Sequence, residues 1–172
     1  MADVIKEFTI SLEQVKDYEF LVRFDDLAET LLMDAPPGVG GHAGPCPTQM
    51  LAAAVGNCLT MTLVLFARKA GAELTHVRAA VKAQLVRGEN NLPRIGAIEV
   101  ALEPGFAAAD QARAAACLAA FESYCAVTES VRAGIEVRVA VQPSGVSRQL
   151  AGEERVQGDP RGPGGPPHHN QL

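Results

Sequence analysis

One long apolar segment constrains the fold of this chain more than any other feature. Residues 47–70, PTQMLAAAVGNCLTMTLVLFARKA, begin with a proline, which suits the first position of a helix, and Gly71, a typical C-terminal cap, follows them. At 1.5 Å per residue a helix over this segment is about 34 Å long. Few charges lie on any of its faces, so we expect it in the centre of the molecule.

A membrane span is the alternative for such a segment. Residues 50–67 include Gly56, Asn57, Thr60 and Thr62, whereas a span needs roughly 20 strongly apolar residues. We therefore predict a buried helix and no membrane partner. The first residues, MADVIKEFTISLEQ, lack a basic region followed by an apolar run, so the expected location is the cytoplasm.

Composition and charge limit the partners and the domain boundaries. The 172 residues carry a net charge of −5, and 5% of them are aromatic. Nucleic-acid binding needs basic charge concentrated on one face, so we predict no nucleic-acid partner. Residues 144–172 are rich in Gly and Pro and have too little apolar surface to offset the entropy of ordering. The sequence thus predicts one domain over residues 1–143 and a disordered tail over 144–172.

Metal binding is not predicted. The tail contains the pair His168 and His169, but further ligands at the spacing of a zinc site do not accompany them.

Hydrophobic periodicity predicts strands on both sides of the long helix. Alternating apolar residues indicate a terminal strand, and an apolar stripe at helical spacing indicates one continuous second helix. The predicted order is strands, long helix, hairpin, helix and strand, which is an α+β arrangement. The segments are strands at 6–12, 18–24 and 29–34, a hairpin from 74–87 and 95–104 around Asn90 and Asn91, a helix at 107–125, and a strand at 134–142.

The four cysteines are predicted to be reduced thiols, because no export signal accompanies them. Cys46 and Cys58 are separated by about 18 Å at the helical rise, and Cys117 and Cys125 by about 12 Å on a continuous helix. A disulfide requires Cα atoms within roughly 7 Å. An intrachain redox pair therefore joins one cysteine of the first region to one of the second.

Spacing alone does not decide which cysteines react. Cys46 precedes Pro47 at a helix start, where the helix dipole would lower the pKa of a thiol, so it competes with Cys58. A single buried cysteine is more often an inert core residue, and Cys117 in its alanine-rich stripe is expected to be one. These alternatives remain open at the level of the residues.

Two motifs resemble those of the OsmC/Ohr family. The segment GGHAGPCPTQMLAAAVGNCLTMTLVLFARKAG resembles the family's Gly-rich turn and P-x-x-L-L-x-A-A-x-x-x-C helix. The segment YCAVTESVRAGIEVRVAV resembles its second motif, in which a cysteine opens a short helix and a Gly and the terminal strand follow. The resemblance covers most of residues 18–142.

The resemblance implies an OsmC-like fold and an intertwined homodimer. In such a dimer two long central helices lie side by side, antiparallel sheets wrap them, and the active sites are at the subunit interface. It also implies thiol-dependent reduction of organic hydroperoxides without a cofactor. By motif position Cys58 is the peroxidatic cysteine and Cys125 the resolving one, and an external dithiol is the reductant.

Further site residues are implied by motif position. Arg23 is the counterpart of the family's thiolate-stabilising arginine, and Thr48 and Gln49 stand where the family commonly has a glutamate. An amide can hydrogen-bond an arginine but forms no charged pair with it, so Asp34 is the alternative source of that charge.

The apolar residues around Cys58 indicate the substrate class. Apolar side chains near a thiol favour an alkyl hydroperoxide over hydrogen peroxide. The predicted substrate-binding residues are Gln49, Met50 and Leu59. The alternative function is a dimer of the same fold that senses redox state or binds a small molecule with little turnover.

Overall fold

The computed structural model describes residues 3–134 and 136–142. The predicted tail at 144–172 lies outside the described residues. The helices are α1 (Pro47–Ala70), α2 (Gln111–Ala120) and α3 (Ala126–Arg132), and the strands are β1 (Ile10–Lys16), β2 (Glu19–Phe24), β3 (Thr30–Met33), β4 (Leu74–Arg87), β5 (Pro93–Phe106) and β6 (Glu136–Val141). Short 3₁₀ turns occupy Glu89–Asn91, Ala108–Asp110 and Phe121–Tyr124.

The first sheet is antiparallel, in the order β1-β2-β3. A two-residue turn joins β1 to β2, and Asp17 in this turn has a φ of 46°. The structure corrects the predicted first strand, which runs over Ile10–Lys16 rather than 6–12. The pairing with β2 sets these limits, because the register extends from Ile10 opposite Phe24 to the turn.

The second sheet contains the long hairpin β4–β5, with β6 on the other side of β5. The hairpin is antiparallel as predicted, but β6 runs parallel to β5, with Ala97 opposite Glu136 and Leu102 opposite Val141. The expectation of antiparallel sheets throughout is therefore wrong for this pair. The intervening α2 and α3 make the crossover connection that a parallel strand needs.

Helix α1 has the predicted ends. The Cys46 backbone N–H donates to Gln49 Oε1 at 2.9 Å and caps the first turn. At the other end Gly71 has a left-handed φ of 61°, and its N–H donates to the Arg68 carbonyl oxygen at 3.1 Å. Within the described residues α1 has the length and hydropathy of a membrane span, and 39% of its most apolar window is buried in the protein.

The core lies between α1 and the β4-β5-β6 sheet. Side chains from α1, β5 and the connecting helices form it, and all are almost completely buried: Val55, Leu59, Leu63, Ile98, Val100, Leu102 and Phe121. Gly56 allows α1 to approach the sheet closely, because a Cβ at this position would overlap the Val81 side chain. Burial of one face thus accounts for the apolar sequence of α1.

The predicted second helix is not continuous. It ends at Ala120, a 3₁₀ turn follows, and α3 begins directly after Cys125. Phe121 and Cys125 keep the predicted apolar stripe buried across the break. The apolar stripe does not reveal the break, because no Gly or Pro marks it in the sequence.

Candidate redox-active site

The structure brings Cys58 and Cys125 together. Cys58 is half-buried in the middle of α1, and Cys125 is fully buried at the start of α3. Both thiols are free, Cys58 packs against the core cluster that contains Cys125, and the Cys125 thiol is near enough to affect the pKa of Cys58. This is one of the pairs between the first and second regions that the spacing left open.

Three neighbours act on the Cys58 thiol. Burial raises its pKa, and the adjacent Cys125 thiol raises it further. The Val127 backbone N–H and the Thr62 side chain, whose hydroxyl donates to the Cys58 backbone carbonyl oxygen at 2.8 Å, lower the pKa, but by less. Within one chain Cys58 is therefore mainly a thiol at neutral pH.

Cys125 has a dedicated hydroxyl neighbour. Thr128 is fully buried, and its Oγ1 donates to Cys125 Sγ at 3.0 Å. Arg132 holds the surrounding segment from both sides, because its guanidinium pairs with Glu122 and with Glu129. The sequence analysis did not identify Thr128, and the signal that could have revealed it is a threonine three residues after a cysteine at a helix start.

The other two cysteines lie apart from this pair. Cys46 is about 18 Å from Cys58 along the helix axis, and its pKa is lowered, chiefly by a hydrogen bond with the Thr48 hydroxyl at 3.1 Å. The predicted lowering of the Cys46 pKa is confirmed. Its main cause is the Thr48 side chain rather than the expected helix dipole. Cys117 is buried in the core as expected, and burial raises its pKa.

Arg23 lies on the first sheet, where it pairs with another residue of that sheet. Its Nη2 is 3.4 Å from Glu13 Oε2, and its side chain is 51% exposed. The neighbouring strand β1 is exposed along its whole length. The predicted role of Arg23 beside the thiolate stays a prediction, and it requires this sheet to meet Cys58.

Asp34 organises the Gly-rich loop. Its carboxylate accepts hydrogen bonds from the backbone N–H groups of Ala35 at 2.6 Å and Ala43 at 2.9 Å. These bonds, the one from Ala43 foremost, hold its pKa below the usual range. A Cβ at Gly40 would overlap the carboxylate. Asp34 is therefore engaged by its own loop, and its predicted role as a source of charge for Arg23 stays a prediction.

The predicted substrate-binding residues occupy three different environments. Gln49 is exposed and caps α1, Met50 is half-buried, and Leu59 is completely buried in the core. Within one chain Leu59 lines no open surface. Their binding roles stay predictions.

Metal chemistry has no obvious site in the part of the chain that the structure describes. Among these residues no three His, Cys, Asp or Glu side chains are grouped closely enough to hold an ion. The chemistry that the arrangement offers is that of two adjacent thiols in different degrees of burial.

Comparison with known proteins identifies the fold and the family. The chain superposes on an OsmC-like protein from Mycoplasma pneumoniae with a TM-score of 0.69 at 14% identity, covering 81% of this chain and 99% of that one. For an OsmC-like protein of unknown function from Vibrio cholerae the TM-score is 0.68 at 13% identity, with 80% and 100% covered. For an organic hydroperoxide resistance protein from Elizabethkingia anophelis it is 0.64 at 16% identity, with 83% and 100% covered.

The sequence itself carries the family signal. A comparison with curated protein sequences found no match. Residues 40–140, more than half of the chain, match the family described as OsmC-like protein, and this range includes both Cys58 and Cys125. The predicted α+β OsmC-like fold is confirmed, and the chain belongs to the OsmC-like protein family.

Proposed function

We propose that this protein is a thiol-dependent peroxidase that reduces organic hydroperoxides, with Cys58 as the peroxidatic and Cys125 as the resolving cysteine. The proximity of these two cysteines in the packed core carries the proposal, because it places a partner thiol beside a nucleophile that solvent can reach. The structural likeness to a protein named for organic hydroperoxide resistance supports the substrate class.

The proposed cycle uses the two sulfurs in turn. The Cys58 thiolate attacks the peroxide O–O bond, an alcohol leaves, and Cys58 becomes a sulfenic acid. The Cys125 sulfur then attacks this sulfenic acid, water leaves, and a disulfide forms. An external dithiol reduces the disulfide and is itself oxidised. No cofactor is needed, and a reducing compartment such as the cytoplasm suits the free thiols.

The proposal includes a homodimer, because one chain leaves large apolar surfaces uncovered. The exposed stripe of α1, defined by Asn57, Met61 and Leu65, repeats every four residues on one helical face, and Met61 is 63% exposed. Strand β1 exposes its apolar residues as well. Contiguous exposed apolar surface marks an interface, and a second copy packed against it would cover both regions.

The dimer also gives Arg23 its proposed role. The pKa of Cys58 is raised in one chain, so efficient catalysis needs a cation near the sulfur to favour the thiolate. If the first sheet of one subunit packs over α1 of the other, Arg23 lies near the Cys58 sulfur of that other subunit. We propose Gln49, Met50 and Leu59 as the substrate-binding residues on the same helix.

The second candidate is a redox sensor or small-molecule-binding dimer with little turnover. The observation that favours it is the raised pKa of Cys58 together with Thr48 and Gln49 at the helix start, which offer no carboxylate to hold an arginine. A sensor would oxidise once and then stop.

Repeated turnover distinguishes the two functions. The reduced protein is mixed with tert-butyl hydroperoxide and excess dithiothreitol, and alcohol formation is followed over many equivalents. We expect continuous turnover by the native protein, none by Cys58→Ser, and normal turnover by the matched core control Cys117→Ser. Oxidation of one equivalent only would support the sensor, and unchanged turnover by Cys58→Ser would refute the assigned roles.

A further inference from the structure

The Thr128 hydroxyl has an unusual partner. Threonine and serine in the first turn of a helix commonly hydrogen-bond the backbone, but the fully buried Thr128 donates to Cys125 Sγ at 3.0 Å. A buried hydroxyl is costly without a partner, so the contact constrains both side chains. This hydrogen bond stabilises the Cys125 sulfur most when the sulfur carries negative charge, because a hydrogen bond to an ion is stronger than one to a neutral group.

The two sulfurs also differ in access. Cys58 is half-buried, whereas Cys125 has no exposed surface. A thiolate that attacks a disulfide approaches the sulfur from the side opposite the bond that breaks. Of these two residues only Cys58 has surface that an external thiolate can reach.

We infer that the external dithiol attacks the Cys58 sulfur of the disulfide and that Cys125 leaves as a thiolate stabilised by the Thr128 hydroxyl. The inference rests on the proposed two-cysteine cycle and adds the direction of its reductive half. Thr128 acts here as a positioning residue for the leaving sulfur.

Reduction of the Cys58–Cys125 disulfide by a dithiol takes two exchange steps. One thiolate of the dithiol forms a bond to Cys58, the Cys58–Cys125 bond breaks, and its electron pair goes to Cys125. The second thiolate of the reductant attacks the reductant's own bound sulfur and releases the Cys58 thiolate and a cyclic disulfide. The dithiol loses two electrons and the protein gains two, and the released sulfurs take protons from water. Exchange is faster when the leaving thiolate is more stable.

The direction of attack can be read from a trapped adduct. The protein is oxidised with diamide, in the absence of any peroxide, and treated briefly with 2-mercaptoethanol, then quenched in acid and alkylated. Peptide mass spectrometry is expected to find mercaptoethanol on Cys58 and the alkyl group on Cys125. The reverse distribution would overturn the inference, and failure of diamide to join the two cysteines would overturn both this inference and the proposed cycle.

Variants test the hydroxyl. Thr128→Val keeps the shape of the side chain, and we expect it to slow reduction of the diamide-formed disulfide by dithiothreitol about tenfold. Thr128→Ser restores the hydroxyl and should return the rate to within about twofold. The matched control is Thr60→Val, which removes a hydroxyl that donates to the Gly56 carbonyl oxygen at 2.9 Å, and it should not change the rate.

The outcomes separate the inference from the function. Equal rates for Thr128→Val and the native protein would overturn the role of the hydroxyl, and so would a slow Thr128→Ser variant with a native melting temperature. A Cys58 adduct and a slow Thr128→Val variant in a protein without peroxide turnover would support the inference and refute only the proposed peroxidase.

Discussion

At the scale of residues, the reactivity of Cys58 depends on a balance of opposing contacts. Burial and the Cys125 thiol raise its pKa, while the Val127 N–H and the Thr62 hydroxyl lower it. The neighbouring thiol therefore has two effects. In the proposed cycle it resolves an oxidised Cys58, yet it disfavours the thiolate that must be oxidised first.

Cys125→Ala separates these two effects. Removing a group that raises the Cys58 pKa should shift the pH midpoint of Cys58 alkylation downward and increase its rate at pH 7. Iodoacetamide rates between pH 6 and 10, followed by peptide mass spectrometry, measure this midpoint. Cys117→Ala, a buried thiol outside the pair, is the control and should leave it unchanged. An upward shift would contradict the assigned cause.

The sequence predicted the proximity of Cys58 and Cys125 better than it predicted their surroundings. Spacing limited the pairs, and the two motifs pointed to Cys58 and Cys125, because cysteine placement is visible in a sequence. The Thr128 hydroxyl and the Val127 N–H escaped prediction, since their roles depend on where α3 begins. The hydrogen bonds from the Gly-rich loop to Asp34 also escaped prediction, because no residue pattern reveals them.

At the scale of elements, the accuracy of prediction followed the strength of the local signals. Pro47 and Gly71 mark both ends of α1, so its limits could be predicted. The alternation in β6 indicates a strand but carries no information about its direction, and its parallel pairing with β5 could not be predicted. The break after Ala120 could not be predicted because no Gly or Pro marks it, and Phe121 stays buried across it.

The contact between α1 and β4 provides an element-scale prediction. Gly56→Ala adds a methyl group that would overlap Val81. Overpacking costs about 1–3 kcal/mol, whereas alanine favours a helix interior by about 1 kcal/mol over glycine. We expect a net loss of about 1 kcal/mol in the free energy of unfolding, measured by urea denaturation at fixed protein concentration.

A second substitution controls for helix propensity. In the Gly56→Ala background, Val81→Ala removes the overlapping methyl groups, so the two changes together should cost less than the sum of their separate effects. If the two losses in the free energy of unfolding are strictly additive, or if Gly56→Ala alone stabilises the protein, the close approach of α1 to β4 is not the reason for a glycine at position 56.

At the scale of the whole molecule, the two parts of the proposed active site lie on surfaces that one chain leaves uncovered. Arg23 belongs to the first sheet, whose strand β1 is fully exposed, and Cys58 belongs to α1, whose stripe of Asn57, Met61 and Leu65 is exposed. One association event that covers both surfaces would explain the exposed stripe and would supply the cation that the proposed catalysis needs. Assembly and catalysis should therefore be lost together.

Met61→Glu tests this coupling, because it places a charge in the centre of the proposed interface, where desolvation penalises it. Light scattering after size exclusion should give twice the 18.1 kDa chain mass for the native protein and a value near the chain mass for the variant. Peroxide turnover should fall at least about tenfold, as expected when charge stabilisation of a reacting group is removed. Ala116→Glu, on the exposed side of α2, should preserve both mass and turnover. A monomeric native protein with full turnover would refute the dimer, and a monomeric but active Met61→Glu would show that Cys58 needs no group from a second subunit.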